Sequence, residues 1–140
     1  FKQKTAYEIA QCLVGAEMCI ETGTVTGSYI LLYRAVYNLV ENAIKYNRPS
    51  GSVTVNIHSA ESAVLEVTDT GIGISPENQE KIFDPFYRVD KSRSRAMGGA
   101  GLGLALVSEI ARQHNGQVKV TQSSEKGSTI ALILPKSTDY

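Results

Sequence analysis

Apolar residues recur at helical spacing between Ser28 and Tyr46. Leu32, Val36, Leu39, Val40 and Ala43 fall on one stripe, the pattern of a helix with a single core-facing side. At about 100° per residue, Asn38, Asn42 and Lys45 share an arc of roughly 60° on the opposite side. The periodicity predicts a helix over Gly27–Tyr46. Downstream the period shortens towards that of a strand. Ser52–Ser59 and Ala63–Asp69 alternate loosely and predict a hairpin turning at Ala60-Glu61-Ser62. Gln117–Gln122 and Ser128–Leu134 predict a second hairpin around Glu125-Lys126-Gly127. Pro76–Ile82 reads as a short helix, with Pro in the first turn after a Ser cap. About Leu102 to His114 reads as another, with Leu102, Leu106, Val107, Ile110 and Ala111 as its apolar stripe. Near the start, Glu17–Glu21 reads as a strand, while residues 5–14 fit either a short helix or an edge strand.

These elements predict an α+β fold. It is a two-layer α/β sandwich, a mostly antiparallel mixed sheet of about five strands covered on one face by three helices. The 140 residues suit one domain over 1–140 with a single core, and there is no internal repeat or low-complexity segment. Apolar residues make up 42%, and 14 basic residues balance 14 acidic ones, which argues against disorder and against a nucleic-acid surface. No apolar run approaches the ~18 residues that span a bilayer, and no secretory signal is visible, so no direct membrane insertion is expected. Cys12 and Cys19 fit reduced cytosolic thiols, and a cytoplasmic location is expected. Without clustered His or Cys, zinc has no support.

Three pieces carry candidate chemistry, and their order matters. Asn38-Leu-Val-Glu-Asn-Ala-Ile-Lys-Tyr-Asn47 puts two amides and a lysine on one helical face. That arc has no Glu/Lys ladder, so it is a poor solubility device, but its amides suit a hard cation already ligated by phosphate and water. Asp69-Thr-Gly-Ile-Gly-Ile74 ends an apolar strand in a carboxylate followed by Gly71 and Gly73. The missing Cβ atoms let the backbone turn sharply and a flat ligand approach. An aspartate there can accept from an exocyclic amine, which selects adenine over guanine. Gly98-Gly-Ala-Gly-Leu-Gly-Leu104 runs into a helix. It matches neither a P-loop nor G-x-G-x-x-G, but its open N–H groups and helix N-terminus favour an anion.

This ordered set resembles the ATP-binding catalytic domain of bacterial sensor histidine kinases, in the superfamily shared with DNA gyrase B, Hsp90 and MutL. Residues 38–47 resemble the N box, 69–74 the first glycine box and 99–104 the second. Phe83-Asp-Pro-Phe-Tyr-Arg-Val-Asp90 resembles the F box, and Lys126–Pro135 the terminal Gly-x-Thr strand. The match covers about residues 27–135. Ala100 stands where the second glycine box usually has threonine, a departure that leaves the backbone cradle intact.

The resemblance implies ATP and Mg²⁺ as cofactors and a nucleotide on the helical side of the sheet. It places Asn42, assisted by Asn38, on the metal. Asn38, Lys45 and Arg88 become the catalytic set. Asp69, Gly71, Gly73, Tyr46 and Ile74 surround the base, with Gly99, Gly101, Leu102, Gly103, Leu104 and Thr129 completing the ATP contacts. Residues from about 84 to 100 carry Arg88, Lys91, Arg93 and Arg95 against Asp84 and Asp90. Their length and net charge of +2 suit an ATP lid ordered by phosphate, with Phe83 and Phe86 anchoring its near end in the core.

Neither His58 nor His114 lies in the His-Glu/Asp-x-x-x-Pro setting of a phosphoacceptor. The implied activity is therefore that of a protein-histidine kinase whose acceptor histidine lies outside this chain. Its partners would be its own dimerisation and histidine phosphotransfer domain and, downstream, a response regulator, in a parent kinase anchored at the membrane. The isolated domain is expected to be monomeric. Gyrase B, Hsp90 and MutL have glutamate where Asn38 stands, and an amide cannot act as that general base. Two other readings share these features: a non-catalytic nucleotide-sensing module, and a serine kinase of the anti-sigma-factor type. The F-box segment argues against the second.

Overall fold

The computed structural model describes residues 25–88 and 102–136. Helix α1 spans Tyr29–Lys45. The Ser28 hydroxyl caps it by accepting from the Leu31 N–H at 3.3 Å. Its stripe is the predicted one: Leu32, Val36, Leu39, Val40 and Ala43 are buried, together with Ala35. Strand β1 (Val53–Ser59) turns through Ala60-Glu61 into β2 (Ser62–Asp69). Helix α2 spans Gly103–Gln113 and leads into β3 (Gln117–Ser124) and β4 (Gly127–Pro135).

The four strands form one sheet in the order β1-β2-β4-β3, with every pair antiparallel. Register decides which side chains meet. Val55 opposes Val67, which opposes Ile130, which opposes Val120. Because strand side chains alternate, this row and its second neighbours face the helices. Both helices pack on that face and on each other. Leu39, Val36, Val40, Val107, Ile110 and Leu132 are the largest fully buried side chains, each contributing about 1.5–3 kcal/mol of burial. A register shift between Val120 and Gln122 re-aims the end of β3. No described helix is long and apolar enough to cross a membrane.

The α+β sandwich is as the pattern predicts, with three differences. The described sheet has four strands and is wholly antiparallel; the segments at 5–14 and 17–21 lie outside the described residues. The helix expected over Pro76–Ile82 is two 3₁₀ turns, Pro76–Asn78 and Lys81–Phe83, because neither run is long enough to propagate an α-helix. On α2, the buried residues are Val107, Ile110 and Ala111, while Leu102 and Leu106 are 45% and 37% exposed. The helix meets α1 along a narrower seam than its composition implies.

On the exposed side of α2, Arg112 clasps Glu109 through Nε–Oε2 at 3.0 Å and a terminal nitrogen on Oε1 at 2.5 Å. Hydrogen bonds from Arg112 first, then Gln113, lower the Glu109 carboxyl from 4.5 to about 2. A group depressed on folding stabilises the fold above its unfolded pKa, and that contribution disappears as pH falls through the folded value. Wild type should therefore melt slightly above Glu109→Gln at pH 7, and the gap should close between pH 4.5 and 2. Thermal melts by circular dichroism across that range check it; a gap independent of pH would contradict the assignment.

Candidate functional site

The site grows from the point where the end of α1 meets the end of β2. Asp69 closes β2 on the helix-facing side of the sheet and is only 8% exposed. Its Oδ1 accepts from the Gly71 N–H at 2.9 Å and the Ser128 N–H at 3.3 Å. Its Oδ2 accepts from the Ser128 hydroxyl at 3.0 Å. A carboxylate offers about four acceptor positions, so Oδ2 retains one for an incoming donor. Buried polar groups are held in this way because an unmet partner is costly, and the same bonds fix the carboxylate's aim.

The turn after Asp69 is bounded by backbone. A Cβ at Gly71 would lie 2.2 Å from the Tyr46 carbonyl oxygen, and one at Gly73, where φ is +77°, 2.0 Å from that of Ser124. Ile74 donates its N–H to Ser123 Oγ at 2.6 Å and packs half-buried on the core. Tyr46 caps α1 and is half-buried. Tyr46, Ile74 and Asp69 therefore all belong to one seam between α1 and the two hairpins.

Asn38, Asn42 and Lys45 are half-buried on the polar face of α1. Asn38 donates from Nδ2 to the Arg34 carbonyl at 2.8 Å, which leaves Oδ1 facing α2. A Cβ at Gly103 would come within 3.0 Å of that oxygen, so the glycine loop's last turn rests against the amide. Asn42 has no side-chain hydrogen bond among the described residues, so both ends of its amide remain available to a ligand. Lys45 sits 3.5 Å from Glu41, one turn back. Glu41 also takes a hydrogen bond from Tyr37, whose hydroxyl pKa rises because of that bond and the carboxylate's charge. The lysine is therefore held in a Tyr37–Glu41–Lys45 ladder, whose Glu41 lies one turn back and outside the arc of Asn38, Asn42 and Lys45.

Leu102 precedes α2 with no side-chain cap, so the first-turn N–H groups from Gly103 onward are offered to solvent or an anion. Leu104 packs on the core beside them. Gly99 and Gly101 lie outside the described residues, as does the predicted lid beyond Arg88, which is half-buried. Phe83 packs on the core, but Phe86 is 71% exposed at a φ of +65°. Only the first of the two expected anchors reaches the interior, because the chain reverses between them.

Thr129 does not share the site's face. Its register partner is Thr68, and the two hydroxyls lie 2.9 Å apart on the side of the sheet away from Asp69. One residue earlier, Ser128 points towards the helices and holds Asp69. A period of two sends neighbours to opposite faces, so the Gly-Ser-Thr string alone could not say which hydroxyl belongs. The cross-strand register would have identified Ser128.

Both histidines have structural partners. His58 Nε2 lies 3.3 Å from Glu66 on the outer sheet face. His114 Nε2 accepts the Ser28 N–H at 3.1 Å while Nδ1 meets the Ile110 carbonyl at 2.7 Å. The second bond requires the proton on Nδ1, so His114 joins the end of α2 to the start of α1 as a neutral ring.

With the site in place, comparisons with known proteins agree on its class. Residues 27–138 match the family described as histidine kinase-, DNA gyrase B-, and HSP90-like ATPase, and the chain belongs to that family. The sensor-like histidine kinase SenX3 of Mycobacterium tuberculosis is 49% identical over 113 residues, 79% of this chain and 27% of the relative. The chain thus spans about a quarter of that curated relative's length. A mycobacterial sensor histidine kinase, MprB, superposes with a TM-score of 0.70 at 34% identity, covering 80% of this chain and 74% of that one. Full-length ShkA, in a complex with AMPPNP, superposes at 0.74 with 25% identity, covering 96% of this chain and 30% of that one.

Because the Ser128 hydroxyl holds Asp69 Oδ2, the Ser128→Ala variant, which keeps only the backbone N–H bond, should bind an ATP analogue about 5–30-fold more weakly, the equivalent of one buried hydrogen bond. Thr129→Val, on the far face, should change that affinity less than about twofold. Calorimetry on the two variants decides between them. Equal losses would put both hydroxyls in the site, against the observed register.

Proposed function

We propose that this chain is the ATP-binding catalytic domain of a two-component sensor histidine kinase. It transfers the γ-phosphate of ATP to a histidine on a separate dimerisation and phosphotransfer domain, from which a response regulator receives it. The observation that carries this reading is the pairing of a buried, oriented Asp69 with an amide at position 38 on the facing helix. The first reads adenine; the second withholds the general base that water attack requires.

The remaining groups take compatible roles. The exocyclic amine of adenine donates to the free position on Asp69 Oδ2, with Tyr46 and Ile74 on either side of the ring. Among the described residues, no three His, Cys, Asp or Glu side chains converge. A divalent cation on this face would therefore use amide and phosphate oxygens. Asn42, with both amide ends available, and Asn38, whose bond to Arg34 leaves Oδ1 facing the opening turn of α2, fit a hard cation of this kind. Mg²⁺ held there would neutralise charge on the phosphates. Lys45 can exchange Glu41 for a phosphate oxygen, a small step because a partly solvated i,i+4 pair is weakly bound. The N–H groups at the start of α2, with Gly99, Gly101 and Leu102 before them, cradle the phosphates, and Arg88 supplies charge from the lid. Phosphoryl transfer needs mainly positioning and charge neutralisation.

Asp69→Asn should weaken ATP binding by about 1–3 kcal/mol, since an NH₂ would face a donor. GTP should bind far less tightly than ATP to the wild type. Calorimetry finding them equal would remove the base-reading role. Asn42→Ala should lose transfer activity by a larger factor than it loses ATP affinity, because the base contacts survive.

Transfer itself is tested by supplying the dimerisation and phosphotransfer helices in trans with radiolabelled ATP. Acid-labile, base-stable label should appear on those helices alone, and slowly, for want of a tether. Label on His58 or His114, or rapid ADP release without an acceptor, would overturn the proposal.

A further inference from the structure

The two ends of the proposed nucleotide site belong to different elements. Asn42, Lys45 and Tyr46 stand on or at the end of α1, whereas Asp69 ends β2. Between them lies a compact polar knot. Asn47 Oδ1 accepts from the Arg48 N–H at 2.8 Å and from the Thr70 hydroxyl at 2.8 Å, while its Nδ2 donates to the Ser52 carbonyl at 2.8 Å. The Ser52 N–H completes the ring by donating to Thr70 Oγ1 at 2.9 Å. Asn47 thus makes three of the four hydrogen bonds open to an amide side chain.

Two further features keep the knot tight. A Cβ on Gly51 would lie 2.3 Å from Asn47 Oδ1 and 2.5 Å from Thr70 Oγ1, so a side chain there would have to push the bonded pair aside. Arg48 reaches across to the Glu125 carbonyl in the β3–β4 turn. Each principal partner also adjoins a site residue in the chain: Asn47 follows Tyr46, and Thr70 follows Asp69. A bond between Asn47 and Thr70 therefore ties the end of α1 to the base-reading strand end one residue from each.

We propose that Asn47 is a positioning residue that holds the phosphate-binding end of α1 and the base-reading end of β2 at the separation one nucleotide spans. It touches neither base nor phosphate, and the inference rests on the nucleotide reading above. Loss of the tie should leave each end competent. Asp69 keeps its bonds to Ser128 and Gly71, and the amide face keeps its helix. What is lost is the simultaneous fit of both ends, the advantage of a preorganised two-point site.

The test compares ligands that use one end with a ligand that uses both. Adenosine probes the base end, Mg-tripolyphosphate the other, and a Mg-bound non-hydrolysable ATP analogue spans them. Titrations followed by NMR on the wild type, Asn47→Ala, Thr70→Val and the double variant give each affinity, with melting curves recorded alongside. Asn47→Ala and Thr70→Val should each weaken the spanning ligand about tenfold while changing adenosine and tripolyphosphate by less than twofold. The double variant should be no worse than the weaker single one, since both break the same tie.

Thr70→Val is nearly isosteric, so it carries the comparison if Asn47→Ala does not fold. Asn47→Asp keeps the acceptor for Thr70 and should recover part of the lost affinity. If adenosine weakens as much as the spanning ligand, or if melting falls while all three affinities hold, Asn47 is a structural residue only and the proposal fails. Failure of the wild type to bind adenosine and the analogue would instead refute the nucleotide reading.

Discussion

Everything in the site depends on how closely the end of α1 approaches the end of β2. The Tyr46 carbonyl occupies the space a side chain at position 71 would need, so the N-box helix and the aspartate turn meet backbone to backbone. The same economy recurs on the other side of Asp69. A Cβ on Gly127 would lie 2.0 Å from the Asp69 carbonyl oxygen, and φ there is +135°, open to glycine alone. The backbone at Asp69 and the turn after it is thus gripped between α1 and the β3–β4 hairpin at the two glycines, 71 and 127. Steric exclusion sets the spacing, and hydrogen bonds from Gly71 and Ser128 set the direction of the carboxylate. A ligand entering this seam meets groups whose ordering was accomplished when the core folded.

The helical layer supplies the second half of the site and its polarity. α1 and α2 run past each other so that Asn38 faces Gly103 and Ser28 faces His114. The first contact brings the amide face up to the opening turn of α2, where N–H groups collect positive potential. The second, through a neutral His114, ties the opposite ends of the helices. Both contacts depend on side chains other than the apolar stripes, and both orient the helices about the shared core of Val36, Leu39, Val40, Val107 and Ile110. Under the proposed function, the chemistry would follow from one difference of atom type. An amide at position 38 can lend an oxygen to a cation but cannot take a proton from water.

Much of this was legible in the residues themselves, since helices and strands announce themselves by period. α1 was found to within two residues at each end, because its stripe repeats over nearly five turns. Both hairpins were found because their strands are short apolar or alternating runs bounded by polar turns. The ordered motifs singled out Asn38, Asn42, Lys45 and Asp69 as candidates, and the structure sets the first three on α1 and Asp69 at the end of β2. Short-range pattern failed where length was insufficient to specify a helix, at 76–82, and where a narrow seam left Leu102 and Leu106 outside.

What only the tertiary structure decided was which neighbours meet across elements. Ser128, not Thr129, faces Asp69 because the β2–β4 register selects it, and a one-residue change in register would exchange the two. Phe83 reaches the core and Phe86 does not, because the chain reverses between them. Asn47 meets Thr70 through a contact that no linear spacing encodes between residues 23 apart. Local physics, the steric and hydrogen-bonding preferences of each short stretch, determined the elements and the reactive groups they carry. Partners distant in sequence meet only once the core is packed, so their identity belongs to the folded molecule.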